Sequence, residues 1–330
     1  MFKKFFFMIL IFSTLISISS YSWFGMWVGL EINLLSIIPL MLNSKNISST
    51  ESAIKYFITQ SIASAILLMV ILTMMIKQSF SLNEMINQNM IITSSMLMKL
   101  GAAPFHFWFP EVMEGLSWMN CMILLTWQKI APMIIMMYVK TMFKFMIMVI
   151  LICMMISGVM GISQTTLKKM LTYSSINNIG WMLSTMILQS KIWIIYFIIY
   201  SMTTINLILI LKQNKIFTIN QLIQKTKNSN NKMMLMLNFL NLSSIPPFIM
   251  FLPKWITLNE MINQNMIMIA SFMTILTLLT TFMYMKIMMP SFMLSMKSQK
   301  MNYIKNYNHK KSMWNMIILM SLIQATFIFN

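Results

Sequence analysis

The sequence has no arginine and no aspartate, and charged residues make up only 9% of it. Its 24 basic residues are all lysines and its six acidic residues are all glutamates, which gives a formal net charge of +18. So few charged side chains could not cover the surface of a soluble protein of 330 residues. Nucleic-acid binding usually relies on arginine-rich basic patches, so we expect no nucleic-acid partner.

The sequence is also poor in cysteine and glycine, with two and seven residues respectively. Cys121 and Cys153 are isolated within apolar runs, so neither a disulfide framework nor a metal or iron–sulfur site is indicated. It contains no glycine-rich loop of the kind that cradles phosphate. We therefore expect no cofactor in this chain, and any redox chemistry linked to it must occur on other subunits.

Long apolar runs account for most of the sequence, of which 58% is hydrophobic. Crossing the ~30 Å of bilayer hydrocarbon takes about 20 residues of helix. On this criterion we predict an all-α polytopic membrane protein with about eleven transmembrane helices. The predicted spans are residues 5–20, 23–42, 54–76, 90–108, 120–138, 145–163, 174–189, 191–211, 233–252, 266–286 and 313–329.

The 45 methionines and the missing arginine indicate a gene with a strong AT bias. The mitochondrial code reads an additional AT-only codon as methionine, which favours a mitochondrial gene. A gene from an AT-rich bacterial symbiont is the alternative.

Apart from Lys99, Lys129 and Lys254, the lysines lie between the predicted spans or at their ends, and they are unevenly distributed between the two sides of the membrane. Seventeen fall on the side of the N-terminus, and four fall on the opposite side, namely Lys77, Lys140, Lys144 and Lys191. Positively charged loops stay inside, so we predict an inside N-terminus and an outside C-terminus.

Two of the spans combine prolines with a lysine. The stretch MKLGAAPFHFWFP has Lys99 just before Gly101–Pro104, and SSIPPFIMFLPKW has Pro246-Pro247 before Lys254. A broken backbone or a charge at membrane depth needs a protein-lined cavity, so both stretches predict discontinuous helices of the transporter type.

These broken helices are the fourth members of two sets of five spans, and an odd number of spans inverts the second set. We predict a single transmembrane domain over 1–330, with a first five-helix repeat in 1–144 and a second, inverted one in 145–290. Residues 291–330 would form a polar loop and a C-terminal helix.

The decapeptide LNEMINQNMI occurs at both 82–91 and 258–267. We interpret both copies as outer-side loops and the repetition as drift, and we interpret residues 212–232 as a solvated connector.

Glu31 and Lys129 lie near the middle of their spans, in WVGLEINLLSIIPL and LLTWQKIAPM. Lys129 is roughly 13 Å of helix from either end, too far for its side chain to reach water. A buried lysine can gain or lose a proton when a charged partner moves, as a proton relay requires. For Glu31 the alternative is a protonated glutamate that hydrogen-bonds to a neighbouring helix.

Other polar residues are open to two interpretations. His106 follows the first break and is either a relay residue or a satisfied packing histidine. Asn33, Asn206 and Asn241 fit hydrogen bonds between helices better than a hydrated path. Surface loops that face water are expected for Glu111 and Glu114, and for His309.

These motifs, together with ESAIKYFITQSIAS, make the chain resemble the antiporter-like core membrane subunits of respiratory complex I, in an arthropod-type form. The resemblance implies eleven spans and a proton relay of Glu31, Lys99, Lys129, Lys254 and His106. The sequence departs from the family pattern at Ser243-Ser244-Ile245, where glycine often precedes the Pro-Pro. The resemblance therefore does not imply a glycine-like flexibility for that break.

The resemblance also implies the partners and the location. FMN, iron–sulfur clusters and ubiquinone are expected on other subunits. The partners would be other membrane-arm subunits, notably the antiporter-like subunit 4 and the small subunits toward the quinone-reducing arm, with accessory subunits and inner-membrane lipids. The location would be the mitochondrial inner membrane, with the N-terminus in the matrix and the C-terminus in the intermembrane space.

We therefore expect a subunit of the proton-pumping NADH:ubiquinone oxidoreductase that moves protons through buried glutamate and lysine residues. One alternative is a free-standing cation/proton antiporter, which the lack of intramembrane aspartates disfavours, since hard cations prefer carboxylate oxygen. The other is a structural subunit that does not pump, in which the buried charges are assembly contacts.

Overall fold

A computed structural model describes residues 2–42, 46–76, 82–139, 141–225, 229–246 and 248–293. The described residues are helical, apart from loops and an isolated bridge between Thr166 and Thr218, so the predicted all-α class is confirmed for them. Seven helical segments of the described residues are long and apolar enough to cross a membrane, and one of them, Trp118–Tyr138, consists of two short helices joined by a 3₁₀ turn. The eleventh predicted span, 313–329, lies outside the described residues, and the total of eleven stays a prediction.

The chain divides into two compact units, which we call unit 1 (Met1–Cys153) and unit 2 (Met154–Asn330). Unit 1 contains the helices α1 (Phe2–Ser19), α2 (Trp23–Met41), α3 (Ile47–Ile76), α4 (Leu82–Leu100), α5 (Trp108–Gly115), α6 (Trp118–Leu125), α7 (Ile130–Tyr138) and the first half of α8 (Phe143–Ile162). Within it, α3 packs against α2, α4 and α5, and α7 packs against α1 and α4.

Unit 2 contains the rest of α8 and the helices α9 (Leu167–Leu188), α10 (Ser190–Asn214), α11 (Ile219–Lys225), α12 (Ser229–Leu242), α13 (Phe251–Asn263) and α14 (Ile267–Met293). Helix α9 packs against α10, α13 and α14, and every residue from 170 to 185 is buried. It is therefore the central helix of unit 2. The division into predicted repeats at residue 144 stays a prediction.

The first predicted break is present between α4 and α5. Helix α4 ends at Leu100, and Gly101 follows with φ +70°, a conformation that a side chain would strain. The Ala103–Pro104 peptide bond is cis, and α5 begins at Trp108. The predicted span 90–108 therefore ends early as a helix, which instead starts at Leu82.

The second predicted break is also present, between the end of α12 at Leu242 and the start of α13 at Phe251. Pro246 lies in this break, and Pro247 lies outside the described residues. Ser244 has φ +57°, the left-handed conformation that glycine adopts at least cost. The break therefore forms without the glycine that the family resemblance would supply.

Two loop predictions are wrong. The copy of LNEMINQNMI at 82–91 lies within α4, and most of the copy at 258–267 belongs to α13. Leucine, glutamate, methionine and glutamine are strong helix formers, and no glycine or proline interrupts the motif. The connector 212–232 contains α11, whose Leu222 is buried, so it is more ordered than a solvated loop.

Candidate functional site

Lys99 lies in the last turn of α4, just before the first break, and its side chain is only 8% exposed. Backbone carbonyls freed by the break receive donors from other elements. Gln60 Nε2 donates to the Lys99 carbonyl at 3.3 Å, and Trp108 Nε1 donates to that of Met98 at 3.1 Å. The broken backbone is thus satisfied by protein groups, as hydrocarbon surroundings require.

Cys153 holds the other side of the same break. The backbone N–H of Ala103 donates to Cys153 Sγ at 3.2 Å, and the thiol lies 3.6 Å from the Ala103 carbonyl, to which it donates. Both cysteines of the chain are buried thiols outside any disulfide bond. No sign of this role for Cys153 is visible in the sequence, because no local motif links a thiol to a break fifty residues away in the chain.

His106 is in the same break and is 2% exposed. Its Nδ1 lies 3.3 Å from the Pro104 carbonyl, and its ring packs 4.4 Å from that of Phe107. The histidine therefore contacts the backbone of the break, and both the packing and the relay interpretations remain compatible with this position.

Glu31 is half-buried on α2, close enough to Lys99 for the two charges to interact. Glu31 and Lys99 are not within the 4 Å of an ion pair; among the described residues, such a pair joins Lys55 and Glu111 at 2.7 Å. Glu31 and Lys99 therefore interact across a gap and not as a contact pair. Glu111 is exposed as predicted, but it lies on α5 and not in a loop.

Two small cavities adjoin Lys99. One of about 20 Å³ is lined by polar groups of Asn33, Tyr56, Gln60 and Gln128 beside apolar side chains. A cavity of roughly 10–15 Å³ accepts one water molecule, so this one has room for a single bridging water. The second, about 10 Å³, is lined by both Lys99 and Lys129, which places these two buried lysines beside the same space.

Gln128 lines both cavities, together with Tyr56 and Lys99. Its Nε2 donates to Asn33 Oδ1 at 2.8 Å, which ties the Lys129 segment to α2. The bond confirms the interpretation of Asn33 as a link between helices and also places it at the cavity wall. Sequence analysis did not single out Gln128, whose only signal was its place beside Lys129.

Lys129 is 2% exposed, as its mid-span position predicts, but the predicted span 120–138 is not one continuous helix. Helix α6 ends at Leu125, a 3₁₀ turn covers Trp127–Lys129, and α7 begins at Ile130. Pro132 explains the interruption, because its ring has no N–H for the carbonyl of residue 128 and fits best in the first turn of a new helix.

Lys254, on α13, is buried, with 6% exposure. Its Nζ donates to Ser244 Oγ at 2.5 Å, across the second break, and lies 5.5 Å from the centre of the Trp181 ring. A hydroxyl oxygen and an aromatic face both stabilise a buried ammonium.

Helix α9 carries buried polar side chains that sequence analysis missed. Tyr196 of α10 donates to Asn178 Oδ1 at 2.9 Å, and Asn177 Nδ2 donates to Thr280 Oγ1 of α14 at 3.3 Å. The signal was the polar run TYSSINN within an apolar stretch. These bonds tie the central helix of unit 2 to α10 and α14.

The other predicted asparagine links are also present. Asn206 Nδ2 donates to Asn238 Oδ1 at 2.9 Å, which joins α10 to α12. The backbone N–H of Met250 donates to Asn241 Oδ1 at 3.2 Å, which joins the second break to α12.

The described residues contain no group of three or more His, Cys, Asp or Glu side chains that could hold a metal ion. His309 lies outside the described residues.

Comparison with known proteins shows which family the chain resembles in sequence. Residues 20–280 match the family described as NADH:quinone oxidoreductase/Mrp antiporter, transmembrane. The chain is 41% identical to NADH-ubiquinone oxidoreductase chain 2 of Anopheles gambiae, over 98% of this chain and 97% of that one. It is 44% identical to the protein of the same name from Locusta migratoria, over 84% and 82% of the two chains.

Solved structures with a similar fold come from larger membrane assemblies. A chain of respiratory complex I from Thermus thermophilus superposes with a TM-score of 0.84 at 17% identity, over 97% of this chain and 77% of that one. A chain of an archaeal membrane-bound sulfane sulfur reductase gives 0.78 at 14% identity, over 98% and 73%. At these identities the superpositions show a shared fold.

Proposed function

From the premise that this chain belongs to the NADH:quinone oxidoreductase/Mrp antiporter transmembrane family, we propose that its buried lysines carry protons across the membrane while other subunits reduce quinone. The chain is an antiporter-like membrane subunit of complex I, the proton-translocating NADH:ubiquinone oxidoreductase. In this proposal FMN, iron–sulfur clusters and ubiquinone are on other subunits, and electrons do not pass through this chain.

The burial of the lysines is the observation that supports the proposal. Lys99, Lys129 and Lys254 are 8%, 2% and 6% exposed. A charged side chain in a membrane interior is costly, so such residues are usually retained for function. Lysine is suited to a relay because, unlike arginine, it can give up its proton when its surroundings change.

In unit 1 the proton would pass from Lys99 to Lys129. Both line the same cavity of about 10 Å³, at the lower limit for one water molecule. Glu31, on α2, is close enough for its charge to act on Lys99, and a change in the charge or position of Glu31 would alter proton occupancy at Lys99. The 3₁₀ turn that ends at Lys129 gives the span a point of local rearrangement.

In unit 2 the proton would reside on Lys254, at the second break. His106, buried in the first break, is the remaining candidate for proton transfer, since histidine titrates closest to neutral pH. We propose that proton occupancy changes in turn at these residues as the quinone-reducing part of the complex alters its charge or conformation.

The chain is a multi-pass protein of the mitochondrial inner membrane and assembles with other complex I subunits. We further propose that its neighbours are the antiporter-like subunit 4 and the small subunits toward the quinone-reducing arm, with accessory subunits and lipids around it. The excess of lysines on one side supports an N-terminus in the matrix and a C-terminus in the intermembrane space.

Two substitutions at Lys129 test the relay. Lys129→Arg keeps the positive charge but is effectively never deprotonated, whereas Lys129→Met removes the charge. If Lys129 relays protons, the arginine variant should assemble and yet lose proton translocation nearly as completely as the methionine variant.

The measurement is quinone-dependent NADH oxidation together with proton uptake into liposomes, each normalised to the amount of assembled complex. Near-normal translocation by the arginine variant, with defective assembly of the methionine variant, would contradict the relay. That result would support the structural alternative, in which the buried charge is an assembly contact.

A further inference from the structure

Ser244 occupies a backbone conformation that does not suit serine. Its φ is +57°. This left-handed region is energetically unfavourable for residues other than glycine, asparagine and aspartate. Glycine would satisfy the backbone of this break better than serine does. Strained backbone of this kind persists where the surrounding structure compensates for it, and at Ser244 the interactions of the side chain are the candidate compensation.

The hydrogen bonds around Ser244 indicate what the side chain contributes. Its hydroxyl donates its single proton to the Ser243 carbonyl at 2.6 Å, so the oxygen lone pairs are left to accept. Lys254 Nζ donates to that oxygen at 2.5 Å. The backbone N–H of Ser244 donates to the Asn241 carbonyl at 2.9 Å, which fixes the serine to the end of α12.

The bond between Lys254 and Ser244 spans the second break. Ser244 follows the end of α12, and Lys254 lies in the first turn of α13. The lysine is 6% exposed, and its Nζ also lies 5.5 Å from the centre of the Trp181 ring. Among the described residues, the serine hydroxyl is the oxygen that accepts from the ammonium and holds it in a defined place.

We propose that Ser244 is a positioning residue for Lys254, and that the protonated lysine ties α13 to the end of α12 through this hydroxyl. The inference rests on the proposed role of Lys254 in proton transfer. A hydrogen bond from an ammonium is stronger than one from a neutral amine, so loss of the proton weakens the link between the two helices. Proton occupancy at Lys254 and the geometry of the break are thereby coupled.

Three substitutions at Ser244 separate the hydroxyl from the backbone. Ser244→Gly suits the left-handed backbone and removes only the hydroxyl, Ser244→Ala removes the hydroxyl and keeps the backbone cost, and Ser244→Asn tolerates the backbone and offers an amide oxygen. Lys254→Met is the reference for loss of the lysine itself. Each variant is studied in the whole complex in liposomes, by protons translocated per NADH oxidised and by thermal stability.

We expect Ser244→Gly to assemble with at least wild-type stability and to lower proton translocation on the order of tenfold, the effect of one charge-assisted hydrogen bond. Ser244→Asn should restore most of the translocation. If Ser244 had only a backbone role, the Ser244→Gly variant should translocate protons at least as well as the wild type.

Unchanged translocation in Ser244→Gly overturns the inference. If Lys254→Met is defective while Ser244→Gly is normal, the positioning role alone fails. If Lys254→Met also translocates protons normally, the proposed function fails at this lysine. Should Ser244→Gly not assemble, the comparison of Ser244→Asn with Ser244→Ala decides: an active asparagine and a defective alanine variant support the role, and equal activity overturns it.

Discussion

At the scale of single residues, the sequence was enough to identify the buried lysines but not their contacts. Mid-span positions predicted that Lys129 could not reach water, and its side chain is 2% exposed. The contacts of Lys254 with Ser244 and Trp181 depend on how separate elements pack, which no local pattern encodes. Gln128 and Cys153 were missed for the same reason.

The interaction between Glu31 and Lys99 is testable at this scale by a double-mutant cycle. Removing one member of a coupled pair leaves the other charge uncompensated, so Glu31→Gln and Lys99→Met should each lower proton translocation. The double variant should be less harmful than the sum of the two effects, by about 0.5–3 kcal/mol as converted from the rates.

The measurement is the rate of proton translocation for the four forms, normalised to assembled complex. The gap between the two groups places the expected coupling toward the lower end of that range. Effects that add within error would show that the two residues act independently.

At the scale of helices, the breaks were predictable and the interruption at Lys129 was not. Prolines that follow shortly after a glycine or a serine mark both breaks in the sequence, as in Gly101–Pro104 and Ser244–Pro246. Proline removes a backbone donor that hydrocarbon cannot replace. Pro132 sits in a strongly apolar run, and hydropathy does not distinguish a continuous span from two short helices joined by a 3₁₀ turn. The LNEMINQNMI copies were assigned to loops on polarity alone, although their residues favour helix.

The crossing of α1 and α2 gives a prediction for helix packing. A Cβ at Gly29 would lie 2.7 Å from the Ser17 backbone nitrogen, which cannot move without shifting α1. We expect Gly29→Ala to destabilise unit 1 by about 1–3 kcal/mol, the usual cost of overpacking.

Gly25→Ala is the matched control, since its Cβ would meet the side chains of Ser20 and Ser22 at 3.0 Å. Thermal inactivation of the assembled complex should show a clearly lower midpoint for Gly29→Ala than for Gly25→Ala. Equal midpoints would mean that the two helices are not packed as closely as the distances indicate.

At the scale of the whole molecule, composition alone predicted an all-helical membrane protein, and the described residues agree. Hydropathy predicted a span at 174–189, which overlaps α9, but α9 is not among the seven segments of the described residues that are long and apolar enough to cross a membrane. Polar residues of α9 such as Asn177 and Asn178 hydrogen-bond to neighbouring helices. The number of spans, their orientation and the repeat symmetry are properties of the assembled chain in a bilayer. They remain predictions from lysine counts and from the parity of the spans.

Orientation is testable by proteolysis. The lysine count predicts that the segment 212–232, which includes α11, faces the matrix. Trypsin should cleave this segment in inside-out inner-membrane vesicles and leave it intact when applied from the intermembrane-space side. Cleavage from the intermembrane-space side of intact membranes would refute the orientation.

The central claim is that a buried lysine of this chain moves protons, and the ratio of protons translocated to NADH oxidised tests it most directly. Lys99→Met should lower this ratio in liposomes that contain the assembled complex. Lys55→Met is the matched control, because Lys55 is 50% exposed and pairs with Glu111 at the surface, where an ion pair contributes little. The account predicts a lowered ratio for Lys99→Met and a wild-type ratio for Lys55→Met. A wild-type ratio for Lys99→Met at equal assembly would contradict it.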